Sequence, residues 1–158
     1  MSRAFVREPD GDTPEEPPPE IPLPPPPNPV TPRGLALIEA AIAEREARLA
    51  AGEAEPARLR RELRYWQARR ETAQVTPPPA DAGEIGFASR VTLDWPGRGR
   101  VVLQLVGEDE SEPASGRIGW RAPVASALVG NGAGDVVTVA IGGRDLALRV
   151  LEVDNGGG

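Results

Sequence analysis

The triplet Pro77–Pro78–Pro79 divides this chain into two halves that obey different periods. Before it, apolar residues recur at three-, four- and seven-residue steps. After it they recur at every second position. A sequence cannot satisfy both periods in one continuous element, so the triplet marks a passage from helices to strands.

The first half begins with "MSRAFVREPDGDTPEEPPPEIPLPPPPNPV", residues 1–30, where proline dominates and apolar anchors are few. Proline removes backbone donors and favours extended polyproline II geometry. This stretch reads as a disordered or semi-rigid tail, either a solvated leader or a proline-motif ligand. Thr31 and Pro32 then form a helix start, with Thr as N-cap and Pro in the first helical position. Leu35, Ile38, Ile42 and Leu49 make one apolar stripe, interrupted by Arg45. Gly52 and Pro56 break it. A second helix carries Leu59, Leu63, Trp66 and Ala73 on one face. The short connection "AGEAEP" makes the two an antiparallel helical hairpin over residues 31–75. Arms of about 18 residues reach roughly 27 Å. The many arginines of the second helix read as a solvated face with pairs such as Arg58–Glu62, or as the charged surface of a docking arm.

Beyond "TPPPADAG" the strand candidates are "SRVTLDW", "RVVLQLVG", "GRIGW", "DVVTVAI" and "LALRVLEV". "APVASALVG" is a short helix started by Pro123 and stopped by Gly130. The sum is an antiparallel sheet of five strands capped by one helix, occupying residues 81–154. The fold class is therefore α+β.

Composition narrows the chemistry. There is no cysteine and no histidine, which removes disulfides, thiol nucleophiles, the commonest zinc ligand and the commonest general base. The chain is read as no enzyme, with no cofactor and no metal of its own. Net charge is −6, distributed as −4 over residues 1–30, +2 over 31–75 and −4 over 76–158. An acidic chain is poorly suited to direct nucleic-acid binding, so a protein partner is expected, with no membrane association. A cytoplasmic monomer is the default.

Several stretches resemble the GreA/GreB family of bacterial transcription elongation factors. "VTPRGLALIEA" resembles the lead-in to that family's first coiled-coil helix, and "RRETAQV" the end of its second. "LVGEDESEPASGRI", "APVASALVGNGAGDVVTV" and "LRVLEV" resemble its C-terminal domain, and "MSRAFVRE" has the look of the GreB branch. The likeness covers roughly residues 28–153. It implies an N-terminal coiled coil, an FKBP-like C-terminal domain and RNA polymerase as partner, with DNA and RNA reached only through the elongation complex. It further implies docking beside the polymerase secondary channel, with tip carboxylates that help hold a metal of the polymerase during transcript cleavage.

Two places depart from the family pattern. The tip is "AGEAEPA", so Glu53 and Glu55 are the candidate carboxylates, on an arm shorter than usual. The docking motif, usually an acidic or polar residue followed by Ser-Pro, is Arg121, Ala122, Pro123, adjacent to the acidic turn Glu108, Asp109, Glu110. Alanine in place of an N-cap serine costs about 1 kcal/mol of helix stability. The resemblance therefore supports two activities, cleavage stimulation or a Rnk-like polymerase binder that competes with authentic Gre factors. A third possibility, a prolyl isomerase suggested by the FKBP-like fold, has only Trp95, Trp120 and Phe87 to line a pocket.

Overall fold

The computed structural model describes residues 19–156. The reading of residues 1–18 as a tail lies outside the described residues. Residues 19–27 run extended, without helix or strand.

Asn28–Val30 are strand β1, and all three are buried. The expected tail thus ends earlier than residue 30, because these residues pair in parallel with β2, Ala73–Val75. This two-stranded ribbon closes the base of a helical pair. Helix α1 spans Pro32–Ala50, and the Thr31 side chain caps it by accepting from the Gly34 N–H. Helix α2 spans Pro56–Thr72. Between them Gly52 adopts a positive φ of 73°, which glycine tolerates without a Cβ clash. The apolar stripes meet in a small core of Val30, Ile38 and Ile42, with Leu35, Leu63, Trp66 and Ala73 against it. Arg45 interrupts the stripe by crossing to the other helix. Its Nε donates to Glu62 at 3.3 Å, and its guanidinium lies 5.9 Å from the Trp66 ring centre.

The second core belongs to a five-stranded sheet in the order β5-β4-β3-β7-β6. Its strands are β3 Arg90–Trp95, β4 Gly99–Val106, β5 Arg117–Gly119, β6 Val136–Ile141 and β7 Arg144–Asp154, with helix α3 at Pro123–Leu128. Alternation places Val91, Leu93, Leu103, Leu105, Val137, Val139, Leu148 and Val150 on one face, where Ala125 and Leu128 of α3 and Ile85 cover them.

The sheet is not wholly antiparallel, as the sequence had suggested. β5 runs parallel to β4, pairing Gln104 with Arg117 and Val106 with Gly119. The reason lies in the connection. Glu108–Glu110 and Pro113–Ser115 each form a 3₁₀ turn, and the chain re-enters the sheet through Gly116, whose φ of 80° suits glycine. A Cβ there would lie 2.6 Å from the Val102 carbonyl oxygen. Among the described residues no helix is long and apolar enough to cross a membrane.

Candidate functional site

The acidic turn after β4 supplies the acids of four ion pairs, and it points inward. Gly107 brings the turn against β1 so closely that a Cβ would stand 2.7 Å from the Pro29 oxygen. From there the three acids reach the base of the helical pair. Asp109 accepts from Arg69 Nε at 2.6 Å and from the Tyr65 hydroxyl at 2.5 Å. Glu108 accepts from Arg69 Nη2 at 3.1 Å, and Arg121 Nε lies 3.3 Å from its other oxygen. Glu110 is 4 % exposed, accepts from the Thr31 hydroxyl at 2.5 Å and pairs with Arg33 at 3.1 Å.

Arg69 is the centre of this joint. Its side chain is 3 % exposed, and its Nη2 also donates to Asn28 Oδ1 at 2.8 Å. Asn28 returns two bonds, to the Arg69 carbonyl at 2.9 Å and the Thr72 hydroxyl at 3.2 Å. Charge balances, with Glu108, Asp109 and Glu110 facing Arg69, Arg121 and Arg33. Burial lowers the Arg69 pKa, but the hydrogen bond and charge of Asp109 outweigh it, and the net direction is upward. Burial, reinforced by the bond to Asp109, pushes the Tyr65 hydroxyl well above its ordinary value. Both groups therefore keep their protons across the physiological range. Buried charges at such a joint must be paired, because desolvating an isolated one costs several kcal/mol. Small residues make the approach possible. A Cβ on Gly34 of α1 would lie 3.0 Å from Glu110 Oε1.

Glu108, Asp109 and Glu110 are thus engaged within the molecule. Of the candidate docking residues Ala122 and Pro123 stand outside this network, while Arg121 lies at its edge beside Glu108. Ala122 is the N-cap of α3 and supplies no side-chain cap, and Pro123 follows it, exposed. The Arg121 guanidinium lies 4.6 Å from the Trp120 ring centre and is about one-third exposed at the side chain.

At the far end of the helical pair, Glu53 is held by Arg48 through two bonds of 2.9 and 3.1 Å. That hydrogen bond draws its carboxyl below the ordinary range. Glu55 stands in the left-handed region at φ 63° and pairs with Arg58 at 3.3 Å. The two candidate tip carboxylates are each taken by a different arginine. Among the described residues, no cluster of three or more acidic side chains is placed to hold a metal ion.

Sequence reasoning missed Arg69, Tyr65, Asn28 and Thr31 as joint residues. One signal for Arg69 was available. It falls three residues after Trp66 on the stripe of Leu59 and Leu63, and an arginine on an apolar stripe needs a buried partner.

Comparison with known proteins assigns the second half. Residues 80–155 match the family model described as "Transcription elongation factor, GreA/GreB, C-term". The chain is 36% identical over 95 residues to transcription elongation factor GreA of Chelativorans sp. (strain BNC1), covering 60% of each chain. It is 39% identical over 84 residues to GreA of Ralstonia nicotianae, covering 51% of this chain and 53% of that one. With GreB of Yersinia pestis the identity is 31% over 94 residues, or 59% of this chain and 55% of that one. The chain thus spans between about half and three fifths of the length of these curated relatives. Among solved structures, GreA factor homolog 1 (Gfh1) of Thermus thermophilus is 20% identical, with a TM-score of 0.40 over 80% of this chain and 97% of that one. A GreA/GreB factor from Nitrosomonas europaea is 22% identical, with a TM-score of 0.42 over 82% and 98%.

Proposed function

We propose that this chain, whose residues 80–155 match the GreA/GreB C-terminal model, is a member of that family that binds RNA polymerase near the secondary channel and modulates elongation. In this reading residues 81–154 are the FKBP-like docking domain and residues 31–75 a short coiled-coil arm. The chain performs no catalytic step itself and acts as a cytoplasmic monomer. The observation that carries the reading is the family match over residues 80–155, which contains the surface formed by Arg121, Ala122 and Pro123. A positive side chain at Arg121 selects an acidic patch on the partner.

The tip favours a binder that does not stimulate cleavage. With 19 residues in α1, the arm extends about 28 Å from its base. Glu53 and Glu55 are each paired with an arginine, and a carboxylate contributes to metal ligation only at bond lengths of about 2 Å. Occupying the docking place without supplying a ligand makes the chain a competitor of cleavage-competent factors.

The test is transcript cleavage in a halted, backtracked elongation complex at fixed magnesium. Expected are no acceleration by this protein alone and inhibition of cleavage stimulated by an authentic Gre factor. Acceleration that Glu53→Ala abolishes would restore the cleavage role. Absence of competition at saturating protein would remove the docking role.

A further inference from the structure

The extended segment Pro19–Pro27 ends on Arg121. Six of its nine residues are proline, so it offers carbonyl acceptors with few donors of its own. Arginines from separate parts of the fold supply those donors. Arg61 Nη1 donates to the Pro19 oxygen at 3.5 Å, and Arg121 Nη2 to the Pro25 and Pro27 oxygens at 2.7 and 3.2 Å. Glu20 takes three bonds from Arg64, the shortest 2.6 Å, and this pairing holds its carboxyl below the ordinary range. Between these anchors Leu23 and Pro24–Pro26 lie along Ala68, Arg69 and Thr72 of α2, with a cleft left between the two sides.

From this we infer that the face of α2 together with Arg121 is a receptor groove for an acidic, proline-rich peptide, and that the chain's own residues 19–27 occupy it as a strap. The groove supplies the two things such a peptide needs: guanidinium donors for carbonyls without competing N–H groups, and positive charge for an acid. A polyproline segment is already extended, so ordering it costs little conformational entropy. Charge agrees over a longer range. Residues 1–30 carry net −4, and the helical pair carries +2.

The consequence for binding rests on the docking reading above. With its Nη2 donating to the strap and its Nε beside Glu108, Arg121 keeps only the two N–H groups of Nη1 for a partner. A protein partner that uses Arg121 competes with the strap, and apparent affinity is the intrinsic affinity multiplied by the fraction of chains in which the strap is open.

The experiment uses the full chain and its lack of cysteine. In the double variant Leu23→Cys/Ala68→Cys, a short bismaleimide reports whether the strap lies in the groove of the isolated protein. RNA polymerase affinity is then measured for the linked and unlinked forms, and for Glu20→Arg with and without Arg64→Glu. Expected are efficient intramolecular linkage, at least threefold weaker polymerase binding when linked, and tighter binding by Glu20→Arg that the Arg64→Glu partner reverses. Failure to link would show that the strap does not occupy the groove. Efficient linkage with equal affinity of linked and unlinked forms would overturn the occlusion while leaving polymerase binding intact. Absence of polymerase binding in every form, Glu20→Arg included, would overturn the docking reading and the occlusion with it, whereas the linkage yield judges the groove independently.

Discussion

Replacing Arg69 by methionine tests whether the joint between the helical pair and the sheet is an energetic unit. The substitution keeps much of the aliphatic bulk and deletes three bonds, to Asp109, Asn28 and Glu108. The Asp109 side chain is 8 % exposed and keeps only the Tyr65 hydroxyl. Removing one partner of a buried pair costs about 3–5 kcal/mol, most of it the penalty of the charge left behind. With Tyr65 still donating, R69M belongs near 3 kcal/mol. If the stranded charge is the cause, neutralising it must recover part of the loss. R69M/D109N is then more stable than the sum of the single variants by about 1–2 kcal/mol, within the range for directly contacting residues. Urea unfolding provides the assay, followed by tryptophan emission and by helical circular dichroism. Trp66 reports on the helical pair, and Trp95 and Trp120 on the sheet side. A loss below about 1 kcal/mol for R69M, or additivity of the two substitutions within about 0.5 kcal/mol, would refute the reasoning.

Other substitutions probe neighbouring parts of the fold. Ala122→Ser supplies the missing side-chain cap of α3 and is expected to stabilise by about 1 kcal/mol, raising the melting midpoint by roughly 2–4 °C in a thermal scan. Gly107→Ala places a Cβ against the Pro29 carbonyl, a backbone atom that cannot move aside cheaply. It should cost about 1–3 kcal/mol and speed amide exchange in β1 and β2 before the rest of the sheet. Glu62 gives a pH dependence with a definite sign. Burial raises its carboxyl pKa, the bonds to Arg58 and Arg45 lower it by more, and the folded value lies below the ordinary 4.5. Its contribution is present above that ordinary value and is lost as pH falls through the lowered one. Glu62→Gln should therefore flatten the acid limb of the helical pair's stability curve, read by circular dichroism below about pH 4.5.

The two long helices and all five strands of the larger sheet were legible, four of those strands because each is long enough to show a period. Thr31–Pro32 announced the start of α1, and the alternation of Val91 and Leu93, Val137 and Val139 announced buried faces. The joint was not legible, for equally physical reasons. β1 and β2 have three residues each, too few for a period to appear, and a proline such as Pro29 reads against a strand. The run Glu108, Asp109, Glu110 looks like a solvated turn in one dimension. Its burial depends on Arg33, Arg69 and Arg121, which lie far from it in sequence. Local pattern carries no information about such pairings. Chemical type does, and Arg69 on an apolar stripe was the one residue that carried it.

The joint also bears on what the arm can do. An arm that swung freely about its base could trade angle for reach. Here the base is fixed on several sides: β1 pairs with β2, Gly107 and Gly34 bring backbone and acid into close approach, and Arg69 ties α2 to the turn after β4. Moving the arm relative to the sheet would expose or strand these charges, at the several-kcal/mol cost worked out for R69M. In the proposed complex, the direction of the arm therefore follows from the way the sheet domain docks. Its length follows from the 19 residues of α1. Glu53 would have to reach the polymerase metals within those two limits while giving up Arg48. Loosening the base with R69M separates the constraints. If cleavage stimulation remains absent in that variant, length and the arginine-bound tip limit the arm; if it appears, the rigidity of the joint was what withheld it.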